Sequence, residues 1–205
     1  ISLDQFIEDM SGKTGIFVLR DEHQARIVGF STLTSTKLRI GNRRVTGVFS
    51  GDTILEREYW GNRSLQVAFY MRMVREKFRR PFSPVFWLLI SKGYKTYLLL
   101  ANNFSRYYPD PQGRFDWLDP YVDAYCRALF PNAFCPRRQL LDFGEGSAHL
   151  KGEIKTITQE MRQRHSKIRF FEERNPTSYR GTELPCIGLV GYFDVVRFPF
   201  LLLSK

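Results

Sequence analysis

The sequence is poor in the residues that build metal sites and disulfide frameworks. It has three cysteines and three histidines in 205 residues. Cys126, Cys135 and Cys186 form no CxxC pair, and their odd number argues against a disulfide scaffold. No two histidines have the i, i+4 spacing that places two ligands on one helix face. We therefore expect no metal, and reduced thiols in a cytoplasmic protein.

Long apolar runs and nucleophile motifs are missing as well. The longest apolar run begins at Pro84 and is interrupted well short of the roughly 20 residues that span a bilayer. Residues 1–10 carry acidic side chains and no basic segment, so we expect neither a membrane span nor a signal peptide. The absence of a Gly-x-Ser-x-Gly elbow argues against a hydrolase triad.

Positive charge and aromatic residues are abundant. The net charge is +10, and the chain contains 18 Phe, 10 Tyr and 3 Trp. A basic surface attracts acidic partners such as coenzyme A, an acyl carrier protein, anionic membrane or nucleic acid. Charge combined with aromatics is also typical of proteins that bind single-stranded nucleic acid. Because no RNP-like, helix-turn-helix or zinc signature accompanies them, a nucleic-acid-binding module is the alternative and not the main prediction.

The first half of the chain predicts a helix, an antiparallel meander and a strand–turn–helix unit. Apolar residues at helical spacing in positions 1–10 predict a helix. Strands are predicted over residues 15–20, 25–34, 37–40 and 43–49, with Gly41-Asn42 as a hairpin turn. An extended piece, 52–58, leads to Gly61 and a helix with one apolar face, formed by Val67, Tyr70, Met71, Val74 and Phe78. A buried parallel strand over 85–90 follows, and then a helix over 92–102, with continuation of the strand as the alternative for that stretch.

The second half mixes loop signals with further elements. Residues 107–136 are rich in Pro, Asp and aromatics, which indicates an excursion over the surface around a short helix, 121–130. Another amphipathic helix is outlined by Leu150, Ile154, Ile157, Met161 and Ile168. Apolar strands are predicted over 186–190 and 195–203.

The turn around Gly61 is the most informative stretch. A strand that feeds a glycine turn and then a helix aims several backbone amides at one point, which favours an anion. Glycine lets the backbone approach a phosphate closely, and Arg63 adds a positive charge beside the helix N-terminus.

The order of elements over residues 1–108 resembles the GNAT N-acyltransferase superfamily, in which this turn has the pattern Arg/Gln-x-x-Gly-x-Gly/Ala and binds the coenzyme A pyrophosphate. Gly61 matches the central glycine, whereas Glu58 and Arg63 depart from the pattern. The resemblance implies an α+β, three-layer αβα fold with a central mixed, mostly antiparallel twisted sheet. Residues 1–108 would form the donor-binding core, and 109–205 a C-terminal extension that completes the sheet and the acceptor cleft in the same globular unit.

The resemblance also implies site residues. Donor binding would fall on the strand before the turn, on the turn and on an amide after the next helix, that is on Ile54, Leu55, Trp60, Gly61, Asn62, Arg63, Ser64 and Asn103. Glu56 or Glu58 would be the general base, unless these residues are exposed salt-bridge partners of Arg57 or Arg63. Tyr97 would protonate the leaving thiolate, in competition with Tyr94, Tyr107 and Tyr108.

The implied activity is that of a bacterial N-acyltransferase. The donor would be an acyl-CoA or an acyl-phosphopantetheine on an acidic acyl carrier protein, and the acceptor a small-molecule amine. A degenerate GNAT scaffold without activity is a further alternative.

Overall fold

The computed structural model describes residues 3–144 and 157–203, and the chain divides into two compact units. Unit 1, residues 1–87, begins with a helix and a three-stranded meander and continues through a turn to a second helix. Its elements are α1 (Leu3–Ser11), β1 (Gly15–Asp21), β2 (Arg26–Ile40), β3 (Arg43–Leu55), a 3₁₀ turn (Arg57–Tyr59), α2 (Ser64–Arg79) and the start of β4 (Val85–Ser91).

In its described residues, unit 2 (88–205) holds the remainder of β4, 3₁₀ turns, and further helices and short strands. These are α3 (Tyr94–Asn103), β5 (Tyr107–Tyr108), α4 (Asp119–Leu129), β6 (Phe134–Cys135), β7 (Leu140–Leu141), α5 (Gln159–Arg164), α6 (Ser166–Arg174), β8 (Leu184–Leu189) and α7 (Tyr192–Leu203), with 3₁₀ turns at Asp116–Leu118 and Ser178–Arg180. The large sheet has the strand order β1-β2-β3-β4-β8-β5. The predicted α+β class with a mixed, mostly antiparallel sheet is confirmed.

The meander of unit 1 is more continuous than predicted. Strand β2 pairs antiparallel with β1 and with β3, and the hairpin closes at Gly41, whose φ is +57°. The predicted strands 25–34 and 37–40 are one strand, β2, and residues 43–49 join the first part of 52–58 in β3. Ser35 and Thr36, where the break was predicted, pair in regular register with Val48 and Gly47 of β3.

Helix α2 packs on this meander through a face that the sequence did not single out. Phe69 and Met73 are 6% and 4% exposed, and the Phe69 ring contacts Phe17 edge-on with centroids 4.9 Å apart. The predicted apolar face points elsewhere, since Met71 and Phe78 are 57% and 62% exposed. The helix is confirmed, and it carries two apolar faces. Buried apolar residues of unit 1 include Val28, Leu33, Val45, Val48, Phe49, Phe69, Met73, Val85 and Phe86.

Unit 2 has an aromatic core, to which the predicted surface excursion contributes. That prediction was wrong, because the strand β5 and the helix α4 bury Tyr107, Tyr108 and Tyr125 to 7% exposure or less. The aromatic residues among the prolines and aspartates supply the apolar area that holds this segment inward. Other buried residues of unit 2 include Tyr97, Leu100, Leu118, Leu141, Phe171, Leu184 and Ile187.

The last predicted strand, 195–203, was also wrong, because residues 192–203 form helix α7. The Asp194 carboxylate accepts hydrogen bonds from the backbone N–H of Gly191 and of Ser105, at 3.0 and 2.8 Å. The Val195 N–H donates to the Gly191 carbonyl and closes the first turn. A short apolar run alone does not distinguish strand from helix, and here the capping contacts decide.

The predicted helix between Leu150 and Ile168 is interrupted. Leu150 and Ile154 lie outside the described residues, and Ile157 precedes the first helix. Met161 lies in α5 and Ile168 in α6, and the two helices meet at His165. In the described part of the chain, no helix is long and apolar enough to cross a membrane.

Candidate functional site

The strand–turn–helix unit predicted around Gly61 is present in unit 1. Strand β3 ends at Leu55, a 3₁₀ turn follows, and α2 begins at Ser64. Gly61 has φ = +90°, a conformation that side chains with a Cβ rarely adopt. A Cβ built on Gly61 would meet nothing within 4 Å, so the turn faces open space. A ligand can therefore approach the backbone at this point.

The N-terminus of α2 favours negative charge. The Asn62 side chain accepts a hydrogen bond from the Ser64 N–H at 2.8 Å. Arg63 is the N-cap residue, and its guanidinium has no acceptor atom with which to cap the next amides. No acidic residue occupies the first turn of the helix. The partial positive charge of the helix end is therefore reinforced by Arg63 and not neutralised.

The turn is fastened by side chains from the β1–β2 hairpin, which sequence reasoning missed. Asp21 and Arg26 face each other in the register of that hairpin. Arg26 is ion-paired to Glu56, and the Tyr59 hydroxyl donates to Asp21. These contacts join residues 30 and 38 positions apart, so only the register of the hairpin could have revealed them.

The surroundings of Glu56 lower its pKa, whereas a general base that works near neutral pH needs a raised pKa. Its side chain and that of Arg26 are 44% and 41% exposed. The hydrogen bond from Arg26 lowers the pKa of Glu56, whereas partial burial of a base was expected to raise it. The alternative of an exposed salt bridge is therefore the arrangement observed, with Arg26 in place of Arg57 or Arg63. Glu58 lies exposed in the 3₁₀ turn.

The strand end that was expected to pair with pantetheine is held closely against β2. Leu55 lies opposite Gly29, and a Cβ on Gly29 would come within 2.6 Å of the Leu55 side chain and 2.7 Å of the Ile54 carbonyl. The Trp60 indole N–H donates to the Leu55 carbonyl at 3.0 Å, while the Ile54 side chain is 58% exposed. The Leu55 carbonyl is therefore already engaged by the turn.

Tyr97 is a core residue of unit 2. It is 0% exposed, and its hydroxyl donates to the Pro109 carbonyl at 3.0 Å. Its ring packs against those of Tyr107, Phe170 and Phe171. Burial raises the pKa of Tyr97 far above its ordinary value. A proton donor must reach the leaving thiolate, and this buried, hydrogen-bonded hydroxyl is poorly placed for that role.

The remaining candidates in unit 2 are mostly structural too. The Asn103 side-chain amide donates to the Leu99 carbonyl at 2.6 Å within its own helix, and the residue is 9% exposed. Burial also raises the pKa of Tyr107 and of Tyr108 to about 12. Of the four competing tyrosines, Tyr94 is the one that keeps part of its side chain exposed.

In the described residues, the thiols and the possible metal ligands form no second candidate site. Cys126 and Cys186 are free and buried, and burial raises the pKa of both thiols. Within residues 3–144 and 157–203, no group of three or more His, Cys, Asp and Glu residues lies close enough together to hold a metal ion.

Comparisons with known proteins give limited similarity. No protein-family model matches the chain, and no curated protein matches it. A solved structure of a KacTA–DNA complex is 17% identical, with a TM-score of 0.34, over 51% of this chain and 70% of that chain. A mutant of the AtaT toxin, bound to the C-terminus of the antitoxin AtaR and to acetyl-CoA, is 12% identical, with a TM-score of 0.29, over 38% of this chain and 51% of that chain. Neither similarity establishes an activity for this chain.

The fold and the site together define a class. The chain is an α+β protein in which an open glycine turn joins a meander strand to a helix whose first turn carries no acidic residue.

Proposed function

We propose that this chain is an acyltransferase that takes an acyl group from a pantetheine thioester and passes it to an amine. The observation that carries the proposal is the turn between β3 and α2, with Gly61 at φ = +90° before a helix whose N-cap residue, Arg63, makes no side-chain cap and whose first turn has no acidic residue. A pyrophosphate or phosphate is the ligand that such backbone amides and the Arg63 charge would hold. In both coenzyme A and a carrier-bound phosphopantetheine, that phosphate is joined to the thiol arm.

The chemistry requires loss of a proton from the amine and gain of one by the thiolate. The amine nitrogen attacks the thioester carbonyl, the C–S bond breaks, and the amide forms. We assign the base to Glu58 and not to Glu56, because Glu56 is held in an ion pair with Arg26. We assign the acid to none of Tyr97, Tyr107 and Tyr108, because all three are buried, and the leaving thiolate takes its proton from water. Arg26 and Glu56 are then positioning residues for the turn.

Gly61→Asp and Gly61→Asn form a matched pair that tests the anion site. Both variants place a side chain of the same shape at φ = +90°, so their backbone strain is equal and only the charge differs. We expect the Asp variant to bind acetyl-coenzyme A at least about tenfold more weakly than the Asn variant, by isothermal titration calorimetry. Equal affinities would show that no phosphate binds at this turn.

A donor-binding protein without transferase activity is the second candidate. It is favoured by the ion pair of Glu56 and the burial of Tyr97, because these two of the groups that the resemblance implies for acid–base catalysis have structural partners. Mass-spectrometric detection of an acylated amine after incubation with acyl-coenzyme A would exclude it. The expectation that nucleic acid is not the partner stays a prediction, which a single-stranded oligonucleotide added to the same titration tests.

A further inference from the structure

Helix α2 carries an apolar stripe on its outer surface. Val67, Met71 and Phe78 are 38%, 57% and 62% exposed, and Val74 completes the stripe. The intervals of four, three and four residues form the heptad seam that one helix presents to another. Phe82, just after the helix, is 99% exposed.

The stripe is additional to the face that packs. Phe69 and Met73 already bury α2 against the meander of unit 1. A helix needs one apolar face to join a domain, and a second face of large apolar side chains exposed to solvent is typical of an interaction surface.

Positive charge runs along one side of the stripe. Arg75 and Arg79 lie next to it at i, i+4 spacing and are both exposed. Within the described part of the chain, neither arginine makes an ion pair. The one acidic residue of α2, Glu76, has a side chain that is 8% exposed and is paired to Arg72 at 2.8 Å. The accessible surface of α2 therefore combines an apolar seam with unopposed cations.

This combination selects among possible occupants. A second copy of α2 would bring arginines against arginines with no exposed acid to pair them, so self-association along this seam is unfavourable. An anionic membrane would suit cations on both borders of the apolar stripe, whereas Arg75 and Arg79 lie on one border only. A helix with an apolar seam and a row of carboxylates complements both the spacing and the charge.

We propose that this surface, Val67, Met71, Val74, Phe78, Arg75 and Arg79, docks an acidic helix of a carrier protein that bears the acyl group on its phosphopantetheine arm. The inference rests on the proposed function and deepens it. The helix that carries the surface begins at the Gly61 turn, which would hold the phosphate of the arm. The carrier thus contacts α2 along its length, and its arm enters at the N-terminal end.

Charge reversal on α2 tests the carrier surface separately from the anion site. The probes are a bacterial fatty-acid acyl carrier protein, in holo and apo forms, and coenzyme A. We expect the variant Arg75→Glu/Arg79→Glu to bind the holo carrier at least about tenfold more weakly and to bind coenzyme A as before. Met71→Asp should weaken carrier binding in the same way, because it places a carboxylate in the seam.

The matched control is Arg39→Glu/Arg43→Glu, which reverses two arginines that are also exposed, on the β2–β3 hairpin. It changes the net charge by the same amount and should leave carrier binding within about twofold of the parent. An equal loss in both double variants would reduce the effect to net charge and overturn the proposal. So would a parent protein that binds phosphatidylglycerol vesicles but not the carrier. Failure of the parent to bind coenzyme A and the holo carrier alike would instead overturn the proposed function itself.

Discussion

The turn of unit 1 and the aromatic core of unit 2 both contain residues that the family resemblance assigned to chemistry, but their environments differ. Around Gly61 the backbone faces open space, and the neighbouring Glu56 and Trp60 are exposed. Tyr97 and Asn103, by contrast, are buried and hydrogen-bonded to backbone carbonyls of their own unit. A motif places a residue type at a position, and packing decides whether a ligand can reach it.

Truncation of Tyr97 should have the largest effect on stability, because Tyr97 belongs to the buried core of unit 2. Tyr97→Ala removes a fully buried aromatic ring and should lower the free energy of unfolding by about 3–5 kcal/mol. Tyr97→Phe keeps the ring but leaves the Pro109 carbonyl without its donor, which should cost about 1–2 kcal/mol. Urea denaturation followed by circular dichroism measures both values. Unchanged stability with lost transferase activity in Tyr97→Phe would restore Tyr97 as the acid.

The same comparison shows which features the sequence could predict. Gly61, the following helix and the Gly41-Asn42 hairpin are local patterns, and the structure contains them. The pairing of Arg26 with Glu56 depends on the register of a hairpin, which no local pattern gives. The orientation of α2 was hidden for a different reason. The helix has two apolar faces, and sequence spacing cannot say which one packs.

The burial of side chains in unit 2 could not be predicted from composition either. Residues 107–136 contain the prolines and aspartates of a surface loop, yet Tyr107 and Tyr108 enter the core of unit 2. The apolar run 195–203 was predicted to be a strand, whereas the Asp194 contacts stabilise it as part of a helix. In both segments the contacts made in the folded chain, and not the local composition, decide the structure.

A methyl group at Gly29 should have the next largest effect on stability. It tests whether the close packing of β2 against β3 supports the turn around Gly61. The new Cβ would lie 2.7 Å from the Ile54 carbonyl, so β2 and β3 would have to separate where the turn begins. We expect Gly29→Ala to cost about 1–3 kcal/mol of unfolding free energy and to weaken donor binding. Urea denaturation and calorimetric titration with acetyl-coenzyme A measure the two effects.

The control for Gly29 is Gly15→Ala, in strand β1. Its Cβ would lie 3.7 Å from the nearest Leu33 atom, an ordinary contact. Its stability should change by less than about 0.5 kcal/mol, or rise slightly, because alanine has less conformational entropy to lose than glycine. A similar loss in both variants would mean that the close approach at Ile54 is not what limits this part of the sheet.

The Tyr59 hydroxyl should have a smaller effect, confined to the turn. Tyr59→Phe removes its hydrogen bond to Asp21 and leaves the ring in place. Because this contact is only partly buried, global stability should change little, while donor affinity should fall about two- to threefold as the turn loses one of the contacts that hold it. Fluorescence titration with a labelled acyl-coenzyme A measures the affinity. Tyr179→Phe, at an exposed tyrosine of unit 2, is the control that should change neither quantity.

The smallest effect should be the pH dependence that Glu56 contributes. Its pKa in the folded protein is lowered by Arg26 from the ordinary value of 4.5. A lowered folded pKa means that the unfolded chain binds the proton more readily. The stability from this group is thus fully present above about pH 5 and is lost as pH falls through the folded pKa. Glu56→Gln should flatten the acid side of the stability curve slightly, and salt should diminish the difference.

Denaturation of the parent and of Glu56→Gln between about pH 3 and pH 7 measures this slope. Arg26→Gln should reproduce it, because either substitution removes the pair, whereas Glu58→Gln should not. A general base with a raised pKa would behave differently. Activity would rise through neutral pH in the parent, and Glu56→Gln would abolish that rise while leaving the acid side of the stability curve intact. That outcome would mean that Glu56 acts in proton transfer and does not merely position the turn.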